Sequence, residues 1–127
     1  MLGTCQSSTC GMKKVLVVDD VHDIADSTAI MLRLHGHVVR TAYNGREAVA
    51  AVCEERPDVV VLDLDMPVKD GFDAAREIRE VHPRPPPLLI AVSALTRTGL
   101  SEDLQAAGFD HHLTKPANIE RLLSLVE

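Results

Sequence analysis

Short apolar runs alternate with longer amphipathic stretches along the chain from Lys13 onward. Three of these runs, at 15–18, 59–62 and 88–92, consist almost entirely of Val, Leu and Ile. Such unbroken apolar segments are typical of parallel strands that are covered by helices on both faces. Together with two more polar runs, they predict five strands, at 15–18, 38–42, 59–62, 88–92 and 112–114.

The stretches between and after the apolar runs have the length and composition of helices. Residues that end helices follow or interrupt the first four stretches, and these are Gly36, Pro57, Pro83 and Gly108. A turn signal, Asn44-Gly45, stands immediately before the second stretch. The pattern therefore predicts five helices, at 23–35, 46–55, 72–81, 101–107 and 118–126.

The order of these elements predicts how they are arranged in space. Five strand–helix repeats with short connections favour an α/β fold, in which a parallel sheet carries helices on both faces. In the first helix, Ile24, Met31 and Leu34 recur approximately on one side. We expect this apolar side to face the sheet.

Composition and charge exclude several classes of protein. The length of 127 residues matches one ordinary domain, and fractions of 46% hydrophobic and 25% charged residues are average for a globular protein. The net charge of −6 argues against nucleic-acid binding, and a chain with no Trp, one Tyr and two Phe offers no platform for stacked bases. No stretch approaches the roughly 18 consecutive apolar residues of a membrane helix, so we expect no membrane contact by this segment.

Residues 1–12 differ in composition from the rest of the chain. They contain Cys5 and Cys10 among small and polar residues, and they lack the basic and apolar regions of a secretory signal. Neither cysteine has a second Cys or His pair nearby at zinc-binding spacing, so their role stays open. We therefore expect a flexible tail or linker at 1–12, a folded domain at 13–127 and a cytoplasmic location.

Charged and polar residues follow the predicted strands. Asp19 and Asp20 come after the first strand, Asp63 after the third, Ser93 after the fourth and Lys115 after the fifth. Any one of them could be an ordinary solvated loop residue, but the carboxyl ends of parallel strands meet at one edge of the sheet. Carboxylates gathered there repel each other, and a divalent cation would offset that repulsion. Oxygen ligands without His or Cys favour Mg²⁺ over zinc.

Four segments carry a resemblance to a known family. They are Val-Leu-Val-Val-Asp-Asp at 15–20, Asp-Leu-Asp-Met-Pro-Val-Lys-Asp-Gly at 63–71, Ser93-Ala94 and Lys115-Pro116. In this order they resemble the receiver domain of two-component response regulators, over about residues 13–127. The segment at 108–116 is most similar to the receivers of hybrid sensor histidine kinases. The resemblance implies a flavodoxin-like (βα)5 fold, doubly wound around five parallel strands in the order 2-1-3-4-5.

The resemblance also implies a phosphoacceptor and a metal site. Asp63 would attack a phosphohistidine and become an aspartyl phosphate. Mg²⁺ would be bound by Asp20, by Asp63 and by the backbone carbonyl of Asp65, while Asp19 would act through a water. A carboxylate is a weak nucleophile, so phosphoryl transfer to it depends mainly on positioning and on neutralisation of charge.

Further residues are implied to bind the phosphoryl group and to respond to it. Lys115 would pair with Asp63 before transfer and with a phosphoryl oxygen afterwards, and Ser93 and Ala94 would complete the phosphate-binding group. Ser93 would also act as a switch by moving inward, followed by the residue at the strand-five position. That position holds an aromatic residue in the family and His112 here. His112 is therefore either a smaller side chain that rotates inward in the same way or an exposed imidazole at a sheet edge.

The leading hypothesis is a phospho-accepting receiver domain in a phosphorelay. Its donor would be a histidine kinase or a histidine phosphotransfer domain, and a downstream protein would read its state. Such a domain is not an enzyme that acts on an external substrate, since it catalyses only its own phosphorylation and dephosphorylation.

Two alternatives belong to other classes of protein. A haloacid-dehalogenase-like phosphatase also carries Asp-x-Asp after an apolar strand, as at 63–65, but the motif there lies near the chain start and the pair at 19–20 would be unexplained. A flavodoxin-like cofactor binder would need a hydroxyl-rich phosphate loop after the first strand, where residues 19–22 are Asp-Asp-Val-His.

Overall fold

Five parallel strands form one sheet in the computed structural model, which describes residues 13–64, 71–81, 87–93, 100–115 and 118–126. The strands are β1 (Lys14–Val18), β2 (Val38–Ala42), β3 (Val59–Asp63), β4 (Leu88–Ser93) and β5 (His111–Thr114). The helices that follow them are α1 (His22–Leu34), α2 (Gly45–Glu54), α3 (Gly71–Val81), α4 (Leu100–Ala107) and α5 (Ile119–Val126). All ten predicted elements are confirmed, each with boundaries within one residue of the prediction.

The order of the strands in the sheet is β2-β1-β3-β4-β5, and every neighbouring pair is parallel. This confirms the doubly wound, flavodoxin-like α/β fold. The chain moves outward from β1 to β2 and then returns to place β3 on the other side of β1. In such sheets, ligands bind at the carboxyl ends of the strands where this direction reverses, which here is the edge between β1 and β3.

Both faces of the sheet are covered, and strand side chains alternate between them. Leu16 and Val60 belong to the core that packs against α2, α3 and α4. Val17 and Val61 belong to the core that packs against α1 and α5. Every residue of β3 is buried as a result. This double burial is the physical reason for the unbroken apolar runs in the sequence.

The prediction for the buried side of α1 is wrong. The three residues expected to face the sheet are all exposed, and they are Ile24, Met31 and Leu34. The residues that face the sheet instead are Ala25, Ala29 and Leu32, which are completely buried. Small alanine side chains therefore occupy much of the side of α1 that packs on the sheet, while the larger Met31 and Leu34 remain exposed.

Helix α2 begins with a reciprocal side-chain cap. Asn44 Oδ1 accepts a hydrogen bond from the backbone N–H of Glu47 at 2.9 Å. Glu47 Oε1 in turn accepts one from the backbone N–H of Tyr43 at 3.0 Å. The turn signal before this helix therefore acts as its cap, which satisfies N–H groups that have no partner within the helix.

Some predicted features lie outside the described residues. These are the tail at 1–12 with Cys5 and Cys10, the segment at 65–70, Pro83, Ala94 and Pro116. None of the helices in the described ranges is long and apolar enough to cross a membrane.

Glycines with positive φ end α1 and α4. Gly36 has a φ of 92° and Gly108 a φ of 100°, a conformation that costs energy for any residue with a Cβ. Their surroundings differ. Among the described residues, a Cβ at Gly36 would meet nothing within 4 Å, whereas a Cβ at Gly108 would lie against Arg79 Cδ. Arg79 also donates from Nη1 to the carbonyl of Gly108 at 3.5 Å.

We expect Gly108→Ala to lower the free energy of unfolding by about 2 kcal/mol and Gly36→Ala to lower it by about 1 kcal/mol. Both substitutions force a Cβ into the left-handed region, but only the first displaces Arg79. Urea denaturation measures both values. In a double-mutant cycle, Arg79→Ala should remove most of the difference, and a difference that persists would contradict the steric explanation.

Candidate functional site

The carboxyl edge of the sheet brings together the acidic residues that follow the strands. Asp63 is the last residue of β3, and Asp19 and Asp20 follow β1. One carboxylate oxygen of each lies within 4.8 Å of the other two, with Asp19 and Asp63 buried and Asp20 the most exposed. The edge between β1 and β3 is therefore strongly acidic, as the topology predicts.

Asp63 is a buried carboxylate that is paired with Lys115. Its side chain is 2% exposed, and its Oδ1 atom lies 2.9 Å from Nζ of Lys115, whose side chain is 26% exposed. The desolvation of a carboxylate to this extent is costly unless a charged or hydrogen-bonding partner compensates for it. Lys115 supplies that compensation while it keeps part of its own surface in water.

Backbone hydrogen bonds position Lys115 next to β4. The N–H of Lys115 donates to the carbonyl of Ser93 at 3.0 Å, and the N–H of Leu64 donates to the carbonyl of Val92 at 3.0 Å. Because β4 lies between β3 and β5, these bonds align the ends of three strands. Lys115 can therefore reach from the outermost strand across β4 to Asp63.

Asp19 is held by both β2 and the start of α1. Its N–H donates to the carbonyl of Ala42 at 3.1 Å, and its Oδ1 accepts from the N–H of Val21 at 2.9 Å. The pKa of Asp19 is raised to about 6, mainly because the side chain is buried. The N–H of Val21 and the charge of Lys115 act to lower this pKa, whereas the charge of Asp63 raises it. Ionised Asp19 is therefore destabilised here, and a cation bound between the carboxylates would relieve that.

The donor set fits a magnesium ion. Asp19, Asp20 and Asp63 offer three carboxylates, and the group contains neither His nor Cys. Carboxylate oxygens are the ligands that Mg²⁺ prefers, whereas zinc sites usually contain His or Cys. Asp65, whose backbone carbonyl is also predicted to bind the ion, lies outside the described residues.

The residues predicted to respond to phosphorylation lie on β4 and β5. Ser93 is completely buried at the end of β4. His112 is the register partner of Ala91 and lies on the sheet face opposite to that of Leu113. The side chain of His112 is half-buried, and its Nε2 atom is buried with no hydrogen-bond partner among the described residues. Ala94 lies outside the described residues.

A network of side chains that the sequence pattern does not predict joins β2 to the start of α1. The ring of His22 stacks on Tyr43, with centroids 3.8 Å apart and an interplanar angle of 24°. The Tyr43 hydroxyl donates to Asp26 Oδ1 at 2.8 Å and accepts from Thr41 Oγ1 at 3.3 Å. This network braces the β1–α1 loop that carries two of the three carboxylates. The one available signal is that the single Tyr of the chain directly follows a predicted strand.

We expect Asp19→Asn to stabilise the metal-free protein at alkaline pH. The folded-state pKa of Asp19 is about 6, above its ordinary 3.8, so the folded protein binds an extra proton between these values. Stability therefore falls as the pH rises from about 4 to about 6 and stays low above this range. The gain from Asp19→Asn should be on the order of 1–3 kcal/mol near pH 8 and should shrink as the pH falls through the same range.

Urea denaturation in the presence of a chelator, at several pH values, measures this gain. The matched control is Asp23→Asn, which removes an exposed carboxylate from the first turn of α1. A gain for Asp19→Asn that is independent of pH would show that burial of its charge is not the cause.

Several solved structures have a similar fold. The chemotaxis protein CheY4 of Vibrio cholerae is 33% identical with a TM-score of 0.84, and the match covers 90% of this chain and 95% of that chain. A CheY-like response regulator receiver domain from Methanospirillum hungatei is 27% identical with a TM-score of 0.83, covering 91% of this chain and 90% of that one. A response regulator of Burkholderia pseudomallei, with a phosphorylated aspartic acid, a calcium ion and citrate, is 25% identical with a TM-score of 0.82. That match covers 91% of this chain and 66% of the other.

The chain also matches a protein family over almost its whole length. The sequence model of the response regulator receiver domain matches residues 15–127, which include all four motifs that carry the resemblance. The match, the strand order and the acidic edge between β1 and β3 agree with one another, and we conclude that the chain belongs to the response regulator receiver domain family.

Proposed function

We propose that this protein accepts a phosphoryl group on Asp63, in a step that requires Mg²⁺ and forms part of a two-component phosphorelay. Membership of the receiver family supports a phospho-accepting role. The observation that carries the assignment is the burial of Asp63 within the carboxylate cluster, with Lys115 Nζ 2.9 Å away. The matches to receivers give no support to the phosphatase alternative.

The proposed transfer exchanges one bond to phosphorus for another. An oxygen of Asp63 attacks the phosphorus of a phosphohistidine, and the P–N bond breaks as the new P–O bond forms. The donor imidazole leaves with the bonding electron pair. Because a carboxylate is a weak nucleophile, the rate depends on positioning and on neutralisation of charge. Lys115, a compact cation already beside Asp63, would pair with a phosphoryl oxygen after the transfer.

Four residues would hold the magnesium ion. Asp20 and Asp63 would bind it through their carboxylates, Asp65 through its backbone carbonyl and Asp19 through a water. When bound, the ion would neutralise negative charge on the phosphoryl oxygens. The response regulator of Burkholderia pseudomallei supports this proposal, because its structure contains a divalent cation, calcium, together with a phosphorylated aspartic acid.

The response to phosphorylation would begin at Ser93. Its hydroxyl would donate to a phosphoryl oxygen, and Ala94 would complete the phosphate-binding group. His112 lies on the next strand with a half-buried side chain, which supports its proposed role as the side chain that follows Ser93 inward. A downstream protein would then recognise the changed surface of β4 and β5.

The phosphodonor would be a histidine kinase or a histidine phosphotransfer domain. It has to approach a carboxylate that is 2% exposed, so it must contact the surface around the acidic edge closely. Exposed apolar side chains extend from this edge along α1, and they are Val21, Ile24, Met31 and Leu34. Such a patch supports α1 as part of the contact surface for the donor.

The domain would turn over no external substrate, because its chemistry ends with loss of the phosphoryl group from its own aspartate. The similarity of residues 108–116 to receivers of hybrid kinases and the cytoplasmic location stay predictions. So does the absence of nucleic-acid binding, which rests on the net charge of −6.

Asp63→Asn should abolish phosphorylation by acetyl phosphate in the presence of Mg²⁺. The wild-type protein should gain one phosphoryl group that is acid-stable and base-labile, because only a carboxylate forms an acyl phosphate. Intact-mass spectrometry measures the gain. Asp73→Asn, which changes an exposed aspartate of α3, is the matched control and should be labelled like the wild type. Stoichiometric labelling of Asp63→Asn would refute the assignment.

Asp20→Ala should lower the affinity for Mg²⁺ by at least about tenfold, because it removes a direct ligand. Asp19→Ala should lower the affinity less, because its contact is through a water. Isothermal titration calorimetry without phosphate measures both values. Asp23→Ala removes a nearby exposed carboxylate and should change the affinity little. Wild-type affinity in Asp20→Ala would contradict the proposed coordination.

A further inference from the structure

A cavity of about 440 Å³ lies between α1, α5 and the sheet, directly beside the carboxylate cluster. Valines of β1, β3 and β4 form its floor. Its walls are formed by Ile24 and Thr28 of α1 and by Ile119 and Leu122 of α5. A space of this volume is within the range of sites that bind small organic molecules, and its lining is mainly apolar, as is usual for such sites.

The end of the cavity next to the site is charged. Asp19, Asp63 and Lys115 line it, which gives two carboxylates and one ammonium group. Asp20 adds a third carboxylate within 4.8 Å of the other two. The charged end therefore carries an excess of negative charge before any metal ion binds.

An apolar space that ends in an anionic group selects for one kind of small molecule. The apolar walls favour a hydrocarbon body, whose burial is driven by the hydrophobic effect. They offer few hydrogen bonds to water, so water competes poorly for this part of the space. The anionic end favours a positive head group, whereas a carboxylate or phosphate head would be repelled in the absence of a metal ion.

We propose that this cavity binds a small organic amine. Its apolar body would lie among Ile24, Ile119 and Leu122, and its ammonium group would pair with the carboxylates of Asp19 and Asp63. The amine and the metal ion would use the same carboxylates, so their binding would be competitive. This consequence for phosphorylation rests on the proposed function, whereas amine binding itself does not. A bound amine would hold the domain in its metal-free, unphosphorylated form.

Three probes with the same apolar body test the role of the head group. They are 4-phenylbutylamine, 4-phenylbutan-1-ol and 4-phenylbutyrate, which present a positive, a neutral and a negative head. Without Mg²⁺, the amine should bind at least tenfold more tightly than the alcohol, and the carboxylate should bind most weakly. Calorimetry measures the affinities. Equal affinities for the amine and the alcohol, or no saturable binding of the amine, would overturn the proposal.

Two adjacent positions on α1 locate the site. Thr28 is half-buried and lines the cavity, whereas Ser27 is exposed on the outer side of the same helix. Thr28→Leu should fill part of the space and weaken amine binding at least fivefold. Ser27→Leu adds the same side chain outside the cavity and should change the affinity for the amine less than twofold. Equal effects of the two substitutions would show that the amine binds elsewhere.

Methyl NMR of the wild-type protein locates the amine without any substitution. The methyl signals of Ile24 and Ile119 should shift on titration with 4-phenylbutylamine, because both side chains line the cavity. Ile30, which is exposed on α1, should not shift. Shifts confined to Ile30, or uniformly small shifts, would refute the assignment of the cavity.

Competition with the metal ion completes the test. Binding linkage is reciprocal, so a saturating amine should lower the apparent Mg²⁺ affinity at least fivefold, while saturating alcohol should lower it less. An unchanged Mg²⁺ affinity would contradict the shared use of the carboxylates. Failure of acetyl phosphate labelling at Asp63 would instead remove the proposed function and leave amine binding to the metal-free protein intact.

Discussion

The ion pair between Asp63 and Lys115 is the interaction on which the rest of the site depends. Because Asp63 is 2% exposed, loss of Lys115 would leave a buried charge without compensation, which is strongly destabilising. Asp63 belongs to β3 and Lys115 follows β5, so the pair spans the width of β4. The observed order of the strands therefore brings the ammonium group of Lys115 to the acidic edge.

The carboxylates around this pair act against stability. Burial and the proximity of Asp63 raise the pKa of Asp19. At neutral pH the ionised carboxylate of Asp19 is therefore less stable in the folded protein than in the unfolded chain. The His22–Tyr43 stack and the hydrogen bond from Tyr43 to Asp26 brace the loop that bears this unfavourable charge. Local destabilisation of this kind is typical of functional sites. A cation bound between the carboxylates would reduce the repulsion between them.

Elements that are buried on both faces could be predicted almost to the residue, because an unbroken apolar run between turn residues allows few other structures. The acidic edge followed from parallel topology. The inner side of α1 could not be predicted in this way, because hydrophobicity ranks Ile24 and Met31 above Ala25 and Ala29, whereas the side that packs on the sheet carries the smaller side chains. The Tyr43 network and the cavity depend on distances between elements, and periodicity along the chain contains no such distances.

The backbone hydrogen bonds at the ends of β3, β4 and β5 also bear on how this edge would respond to phosphorylation. The carbonyls of Ser93 and Val92 accept hydrogen bonds from the N–H groups of Lys115 and Leu64, and these bonds tie the strand ends to one another. On the proposed function, a response at this edge would consist of side-chain rotations, which relax far faster than a covalent phosphate is lost. The conformation would then follow the chemistry without delay. On the same proposal, the signal would last as long as the acyl phosphate bond on Asp63, because the side chains would return to their earlier positions once that bond breaks.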